Sequence, residues 1–523
     1  MKPRFRQSMS WLHTWSGFAF AWLLFFIFVT GTVGYFENEI DRWMKPEIAI
    51  VNEPIDDLTI LKTAQQQLTT HAADGAQWYI SYPSARDPYI DISWLQPANK
   101  ETGTRRQWHE KNLAPSSGEL ITTRETSGGE TLYRLHYNLH YVPIFVGYLV
   151  TSLATMLMLI GLVTGVIIHK KIFIEFFTFR ANKGLRSWLD IHNVFSVLPL
   201  PFHLMITYSG LILLMGVSFA PVVDATYGEG QKMHRQLYDE TQAENITTQF
   251  IALPAANLSL ETALIDAKSR FKDQAVSYLG LVDRNTEQPG FEVWFDAQQG
   301  IEFATLITYR AVGGQVQIEQ ATGKKYSAAE VYDVLEHLHE GLFADIYLRW
   351  LYFLSGLLGA GMIATGMIIW VQKRKKQQSR FINVIDKLNA AVVVGLPIAI
   401  AAYFWANRLL PIEMASRAHW EMHSLFIVFA LCCCFCLARV AEKAWQNMLW
   451  LAAAAYALIP LVNMLTTKHS MLASLHNNDW LMLGFDLTML LIAGGFAVAA
   501  VVLQKRSGID AFNPLIKQTA NGV

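Results

Sequence analysis

A pattern that occurs twice constrains this chain more than any other feature. Trp11-Leu12-His13 is followed seventeen residues after the histidine by Thr30-Gly31, and Ile191-His192 is followed at the same distance by Ser209-Gly210. In each copy a polar stretch comes next, and then a second apolar segment with a Thr-Gly pair inside it, Thr164-Gly165 and Thr365-Gly366. Histidines also precede that second segment, at His136 and His140 in the first copy and at Leu338-His339 in the second. The first 375 residues or so are therefore two copies of helix, polar region, helix.

The helices are membrane helices by composition. Arg6 is followed by no charge until Glu37, and residues 141–168, 191–223, 350–372, 388–407 and 447–467 also lack Asp, Glu, Lys and Arg. About 20 such residues cross a bilayer as a helix. Met422–Ala438 is shorter and Trp480–Leu503 carries Asp486, giving eight expected transmembrane helices. Only 16% of the 523 residues are charged and 52% are hydrophobic, which excludes an ordinary soluble protein. The first segment is too long for a cleaved leader, and no small-residue cleavage site follows it.

Basic residues orient these helices. Lys2, Arg4 and Arg6, then Lys170, Lys171, Arg180, Lys183 and Arg186, then Lys373–Lys376 with Arg380, and finally Lys505 and Arg506 all fall on one side. The positive-inside rule makes that side cytoplasmic, so both termini are expected there. The expected division is transmembrane helix 1 in 1–35, an outside region 36–140, helices 2 and 3 with a basic loop in 141–217, a second outside region 218–343, helix 4 in 344–372, a basic linker 373–387, a separate C-terminal four-helix bundle 388–507 and a cytoplasmic tail 508–523. Each outside region reads as a small α+β domain. Leu58–Leu68 and Ala256–Phe271 have helical periodicity, while Trp78–Tyr82, Tyr89–Trp94, Ala275–Val282, Phe291–Phe295 and Phe303–Tyr309 read as strands. All four cysteines (Cys432, Cys433, Cys434, Cys436) fall in one helix, so the outside regions fold without disulfides.

His13 and His192 begin outward-running helices and so lie near the cytoplasmic face. His136, His140 and His339 precede inward-running helices and lie near the outer face. A two-fold axis along the membrane normal, as parallel repeats have, pairs His13 with His192, and His339 with His136 or His140. A lone histidine at a helix end is ordinarily interfacial; five at repeat-equivalent ends predict two bis-histidine haem sites. Each site offers two nitrogens, as haem needs, whereas zinc takes four ligands. His203 lies eleven residues after His192, on the same face about 16 Å deeper, and is a further candidate ligand or haem contact, although its repeat mate is Leu24. His169, at the end of helix 2, is another candidate; its repeat mate is Trp370. His419, His423 and Asp486 raise a quinone or proton role in the C-terminal bundle, with a plain interhelical hydrogen bond as the simpler reading of Asp486.

The motifs Trp11-Leu-His-Thr-Trp-Ser-Gly17, Arg134-Leu-His-Tyr-Asn-Leu-His140, His169-Lys-Lys-Ile-Phe173, Phe176-Phe-Thr-Phe-Arg180, Ser187-Trp-Leu-Asp-Ile-His192, Pro201-Phe-His-Leu-Met-Ile-Thr-Tyr-Ser-Gly210 and Leu338-His-Glu-Gly341 resemble the PepSY-associated transmembrane proteins. These are bacterial inner-membrane proteins, some of them di-haem ferric-siderophore reductases. The resemblance covers residues 1 to about 376. It implies that the two outside regions are periplasmic PepSY-like domains, that His13, His136, His192 and His339 hold two b-type haems, and that electrons flow outward to a periplasmic ferric siderophore. The donor would be a cytoplasmic reductant or quinol; lipid is the surrounding partner, and nothing points to nucleic acid. The common family core has four helices, so the last four depart from it. Two other functions fit part of the sequence: a membrane-anchored regulator of an envelope protease, since PepSY modules also occur as protease inhibitors, and a transporter. The first gives the membrane histidines no role; the second predicts helices broken at mid-membrane.

Overall fold

The computed structural model describes residues 3–48, 55–84, 86–98, 103, 105–169, 174, 178–181, 183–228, 235–237, 240, 244–295, 305–324 and 327–520. Lys2, Lys170, Lys171 and the 170–173 and 176–177 parts of two motifs lie outside them. The chain divides into two compact units, one helical (1–45, 124–218 and 346–523) and one sheet-bearing (46–123 and 219–345).

The helical unit begins with α1 (Pro3–Ala19), α2 (Ala21–Gly34) and the short α3 (Glu37–Met44). It continues with α4 (Gly128–Arg134), α5 (Ile144–Ile168), α6 (Leu185–Val197), α7 (Leu200–Leu213) and α8 (Ile346–Arg374). Then come α9 (Arg380–Val393), α10 (Gly395–Leu409), α11 (Arg417–Ala438), α12 (Ala441–Ala457), α13 (Ile459–Thr466) and α14 (Trp480–Ala520). Six segments of this unit are long and apolar enough to cross a membrane, and the bent pairs α1–α2 and α6–α7 raise the count to eight. The protein is a membrane protein. On α5, Leu149, Leu153, Ile160 and Val163 are exposed while Ala154, Met158 and Leu162 are buried, the division expected of a helix with lipid on one side.

The bends occur at repeat-equivalent residues. α1 meets α2 at 66° and α6 meets α7 at 63°. The breaks fall at Phe20 and Pro199, which are 179 residues apart, as are His13 and His192. Both have non-helical backbone, with φ −122° and ψ 18° at Phe20 and φ −96° and ψ 23° at Pro199. Proline accounts for the second break by removing a helix donor. The first copy bends at the equivalent place without a proline. The helix α8 lies against α2 through glycines: a Cβ added at Gly356 would stand 2.2 Å from Thr32 Oγ1.

The sequence suggests that the last helices form a separate bundle. Instead they share the compact unit with the repeat helices. One buried apolar cluster runs from Leu24 and Phe25 through Trp43 and Ile363 to Phe404, Leu425 and Phe485. Trp22 Nε1 also donates to Asn389 Oδ1 at 2.8 Å, fastening α2 to α9.

In the sheet-bearing unit the strands are β1 (Gln77–Ser81), β2 (Ile90–Gln96), β3 (Gln107–Leu113), β4 (Leu120–Ile121), β5 (Glu244–Pro254), β6 (Val276–Val282), β7 (Gly290–Phe295), β8 (Thr305–Val312) and β9 (Gln315–Lys324). They form one antiparallel sheet in the order β4-β3-β2-β1-β6-β7-β8-β9-β5. The two polar regions therefore do not stand as separate domains: β1 pairs with β6, Trp78 opposite Leu281 and Ile80 opposite Leu279. The helices Asp57–His71 and Leu260–Arg270 start at side-chain caps. Asp56 accepts from the Leu58 and Thr59 amides, and Ser259 forms a reciprocal box with Thr262. Their buried residues, including Leu61, Leu68 and Leu264, join Ile80, Ile92, Val293 and Ile307 in a single core.

Candidate functional site

A cavity of about 290 Å³ lies within the helical unit, between α1, α5, α6 and α8. His13 and His192 line it, and so do Gly165 and Gly366. The two imidazole centres are 6.5 Å apart with their planes at 71°.

Each imidazole is held by the second helix of its own repeat. His13 Nδ1 bonds to Gly161 O at 2.9 Å, and His192 Nδ1 to Met362 O at 2.9 Å. A carbonyl oxygen only accepts, so in both rings Nδ1 carries the proton and Nε2 keeps its lone pair. Thr164 Oγ1 lies 3.4 Å from His13 Nδ1 and Thr365 Oγ1 lies 3.1 Å from His192 Nδ1. The glycines make room for the rings. A Cβ at Gly165 would meet His13 Cε1 at 3.2 Å, and one at Gly366 would meet His192 Cε1 at 3.4 Å. Every part of the His13 setting thus has a counterpart around His192.

The residues present fit a haem, which His13 and His192 would hold. A metal-bound imidazole nitrogen sits about 2.0–2.1 Å from the metal and the ring centre about 1 Å further, so two opposed imidazoles have centres about 6 Å apart. A ligating histidine ordinarily gives its other N–H to a carbonyl or carboxylate, which fixes tautomer and orientation. Among the described residues no three His, Cys, Asp or Glu side chains gather as a metal-binding group. The pair therefore offers two nitrogens to a group that brings its own equatorial ligands.

The remaining sequence candidates are placed differently. His136 is half-buried in the helical unit; its Nδ1 donates to Tyr133 O, and Gly31 packs against its ring. Burial lowers its pKa to about 4, so it is neutral at pH 7 and Nε2 is again the basic nitrogen. His140 stacks on Phe426 at 5.5 Å and lies beside Tyr141, whose hydroxyl bonds to His423 Nδ1. Burial, with His423 and His419 nearby, lowers the His140 pKa. His339 belongs to the sheet-bearing unit, on the helix Ser327–Glu340. His203 does not line the cavity; its Nε2 donates to Ser355 O at 3.2 Å, and its ring meets Phe28 edge-on. His169 lines the cavity and bonds to Asn193 through Nε2 at 3.2 Å.

One residue escaped the sequence reading. His337 lies 201 residues after His136, the offset that relates Thr164 to Thr365 and Gly165 to Gly366. His337 Nδ1 bonds to Asp333 O at 2.9 Å. Carrying the offset of the second helix backwards from the Thr-Gly pair names it beside His339.

The buried charges after residue 400 are held in ion pairs and in hydrogen bonds between helices. Asp486 accepts from Trp43 Nε1 and from Asn463 Nδ2, each at 3.2 Å. The Arg408 guanidinium lies 3.7 Å over the Trp43 ring and bonds to Asn463 at 2.9 Å. Glu421 pairs with Arg417 and accepts from Asn407 Nδ2 at 2.8 Å, Thr126 Oγ1 at 2.7 Å and the Ser127 amide at 2.9 Å. These contacts bind α10, α11 and α14 to α3 and to the segment that leads into α4.

A family model described as the PepSY-associated TM region matches residues 10–373. The match takes in both copies of the repeat and stops before α9. No curated protein matches the chain.

Proposed function

The chain belongs to the PepSY-associated TM family, and on that premise we propose that it is a di-haem reductase of the bacterial inner membrane, carrying electrons outward to periplasmic ferric siderophores and releasing Fe(II). The observation that carries this reading is the His13–His192 pair: two imidazoles lining one cavity, with ring centres 6.5 Å apart and both Nδ1–H groups tied to helix carbonyls. Bound haem b supplies a one-electron carrier whose potential answers to its axial ligands and its burial.

The chain's own residues do the rest. Gly161 and Met362 carbonyls keep both imidazoles in the ligating tautomer, and Gly165 and Gly366 let the rings approach their helices. The lining leucines, methionines and Phe18 would keep water from a bound haem and so tune its potential. His136 is prepared in the same way as His13 and His192 and is the ligand named for the second haem, with His140 the alternative in the same unit. The basic residues support a cytoplasmic side for both termini. The two regions that build the sheet then face the periplasm, where the siderophore is met. Electrons come from a cytoplasmic reductant or from quinol in the surrounding lipid.

The test is spectroscopic. The full chain, purified from haem-replete cells in detergent, should show a Soret band and the low-spin spectrum of bis-histidine ligation, and dithionite should reduce it. Replacing His13 or His192 with Ala should each remove about half the low-spin signal. Oxidation by a ferric siderophore, read with an Fe(II) chelator, completes the assay. A colourless preparation refutes the proposal. That result would favour the transporter reading, which the repeat-equivalent bends also suit.

A further inference from the structure

The cavity that holds the two imidazoles also holds two donors with nothing to bond. Trp370 Nε1 and His169 Nδ1 are buried and lack a hydrogen-bond partner among the described residues, and both residues line the cavity. The indole nitrogen can only donate. The Asn193 amide nitrogen bonds to His169 Nε2 at 3.2 Å, so Nε2 accepts and the proton sits on Nδ1. The wall therefore presents two N–H groups whose burial is unfavourable unless a ligand brings acceptors.

These donors are counterparts. His169 and Trp370 stand 201 residues apart, the offset that relates Gly165 to Gly366. Each lies four residues, about one helical turn or ~6 Å, beyond the glycine that packs under an axial imidazole. Both sit where α5 and α8 end, beside Lys373 and Arg374, which line the same cavity. Among the described residues, none that line it is acidic. The indole is also held in place: it stacks on Phe18 at 3.9 Å and 7°, and the Arg374 guanidinium lies 4.0 Å from its centre. A paired set of donors with cations alongside, at one end of a cavity, suits a ligand with two carboxylates on one edge.

We propose that His169 and Trp370, supported by Lys373 and Arg374, form a carboxylate subsite that receives the two propionates of the haem held by His13 and His192. This rests on the haem reading above and adds to it the direction in which the macrocycle is inserted, with its charged edge toward the ends of α5 and α8. Charge-assisted hydrogen bonds from neutral N–H groups hold both carboxylates. The two ammonium and guanidinium groups balance their charge.

The test uses the full chain, made under haem starvation, purified in detergent and titrated with haem b and with its dimethyl ester. The wild-type chain should bind the ester at least tenfold more weakly than haem b. Trp370→Phe and His169→Phe, which keep a ring and remove the N–H, should each weaken haem b binding about tenfold, the effect of one charge-assisted hydrogen bond, and leave ester binding unchanged. The low-spin spectrum should persist in both variants, since the axial imidazoles are untouched. Equal wild-type affinity for haem b and ester overturns the subsite without recourse to any variant. So do variants that bind haem b as the wild type does. A wild-type chain that takes up neither compound overturns the haem reading, and the subsite with it; low-spin haem bound equally as acid and ester overturns the subsite alone.

Discussion

Substituting Gly165 tests the site through its tightest contact. A Cβ at Gly165 would lie 3.2 Å from His13 Cε1 and 3.6 Å from Nδ1, whereas at Gly366 the matching distances to His192 are 3.4 and 3.8 Å. Carbon atoms settle at about 3.5–4.0 Å, so Gly165→Ala pushes the His13 ring by about 0.3 Å and Gly366→Ala pushes the His192 ring by about 0.1 Å. The His13 ring cannot retreat without stretching its 2.9 Å bond to Gly161 O. Gly165→Val adds two methyl groups beyond that Cβ and displaces the ring altogether, at an overpacking cost of about 1–3 kcal/mol. The expected order of damage is Gly366→Ala, then Gly165→Ala, then Gly165→Val. It is read as haem content and as the fraction of low-spin spectrum in the purified chain. A Gly165→Val chain with wild-type haem content and an unchanged low-spin spectrum would refute the reasoning, because the imidazole could not then be seated against this helix.

Other consequences are equally direct. Thr365 Oγ1 is nearer its imidazole than Thr164 Oγ1 is, 3.1 Å against 3.4 Å; Thr365→Val should weaken haem retention by about tenfold and Thr164→Val by less, measured by transfer to apomyoglobin. Arg417 and Glu421 form a fully buried ion pair, so Glu421→Ala should cost about 3–5 kcal/mol, whereas Glu421→Gln keeps acceptor capacity for Asn407 and Thr126 and should cost less, both read by thermal unfolding in detergent. Trp43→Phe removes the indole donor to buried Asp486, leaving the Asn463 amide, and should cost about 1–3 kcal/mol in the same assay. In the sheet-bearing unit, burial raises the Glu292 pKa above 4.5. The folded state then holds a proton that the unfolded state has released, so this contribution is present below pH 4.5 and is lost as pH rises through the raised value. Glu292→Gln should flatten that part of the pH dependence of melting, and an unchanged profile would show that the carboxyl is solvated.

Much of this arrangement was legible from residue order. Charge-free runs gave the spans, and the shared seventeen-residue spacing put His13 and His192 at equivalent positions. What escaped depended on distant partners. The α1–α2 bend has no proline to announce it; only the counterpart at Pro199 does. The pairing of Trp78 with Leu281 joins strands about 200 residues apart, so strand alternation could reveal each strand and not their union. His337 shares with His136 the second-helix offset of 201, which the first-helix spacing of seventeen does not reveal. The unpaired nitrogens of His169 and Trp370 could be recognised only once their surroundings were known.

Each imidazole facing the cavity is anchored by a helix of its own half, His13 on Gly161 and His192 on Met362, yet neither half alone offers two ligands. Two identical half-length chains, meeting about a dyad, would create the same pocket. Fusing them into one polypeptide frees each half to diverge: one wall of the slot ends in an imidazole at 169 and the other in an indole at 370, an asymmetry that no homodimer could possess.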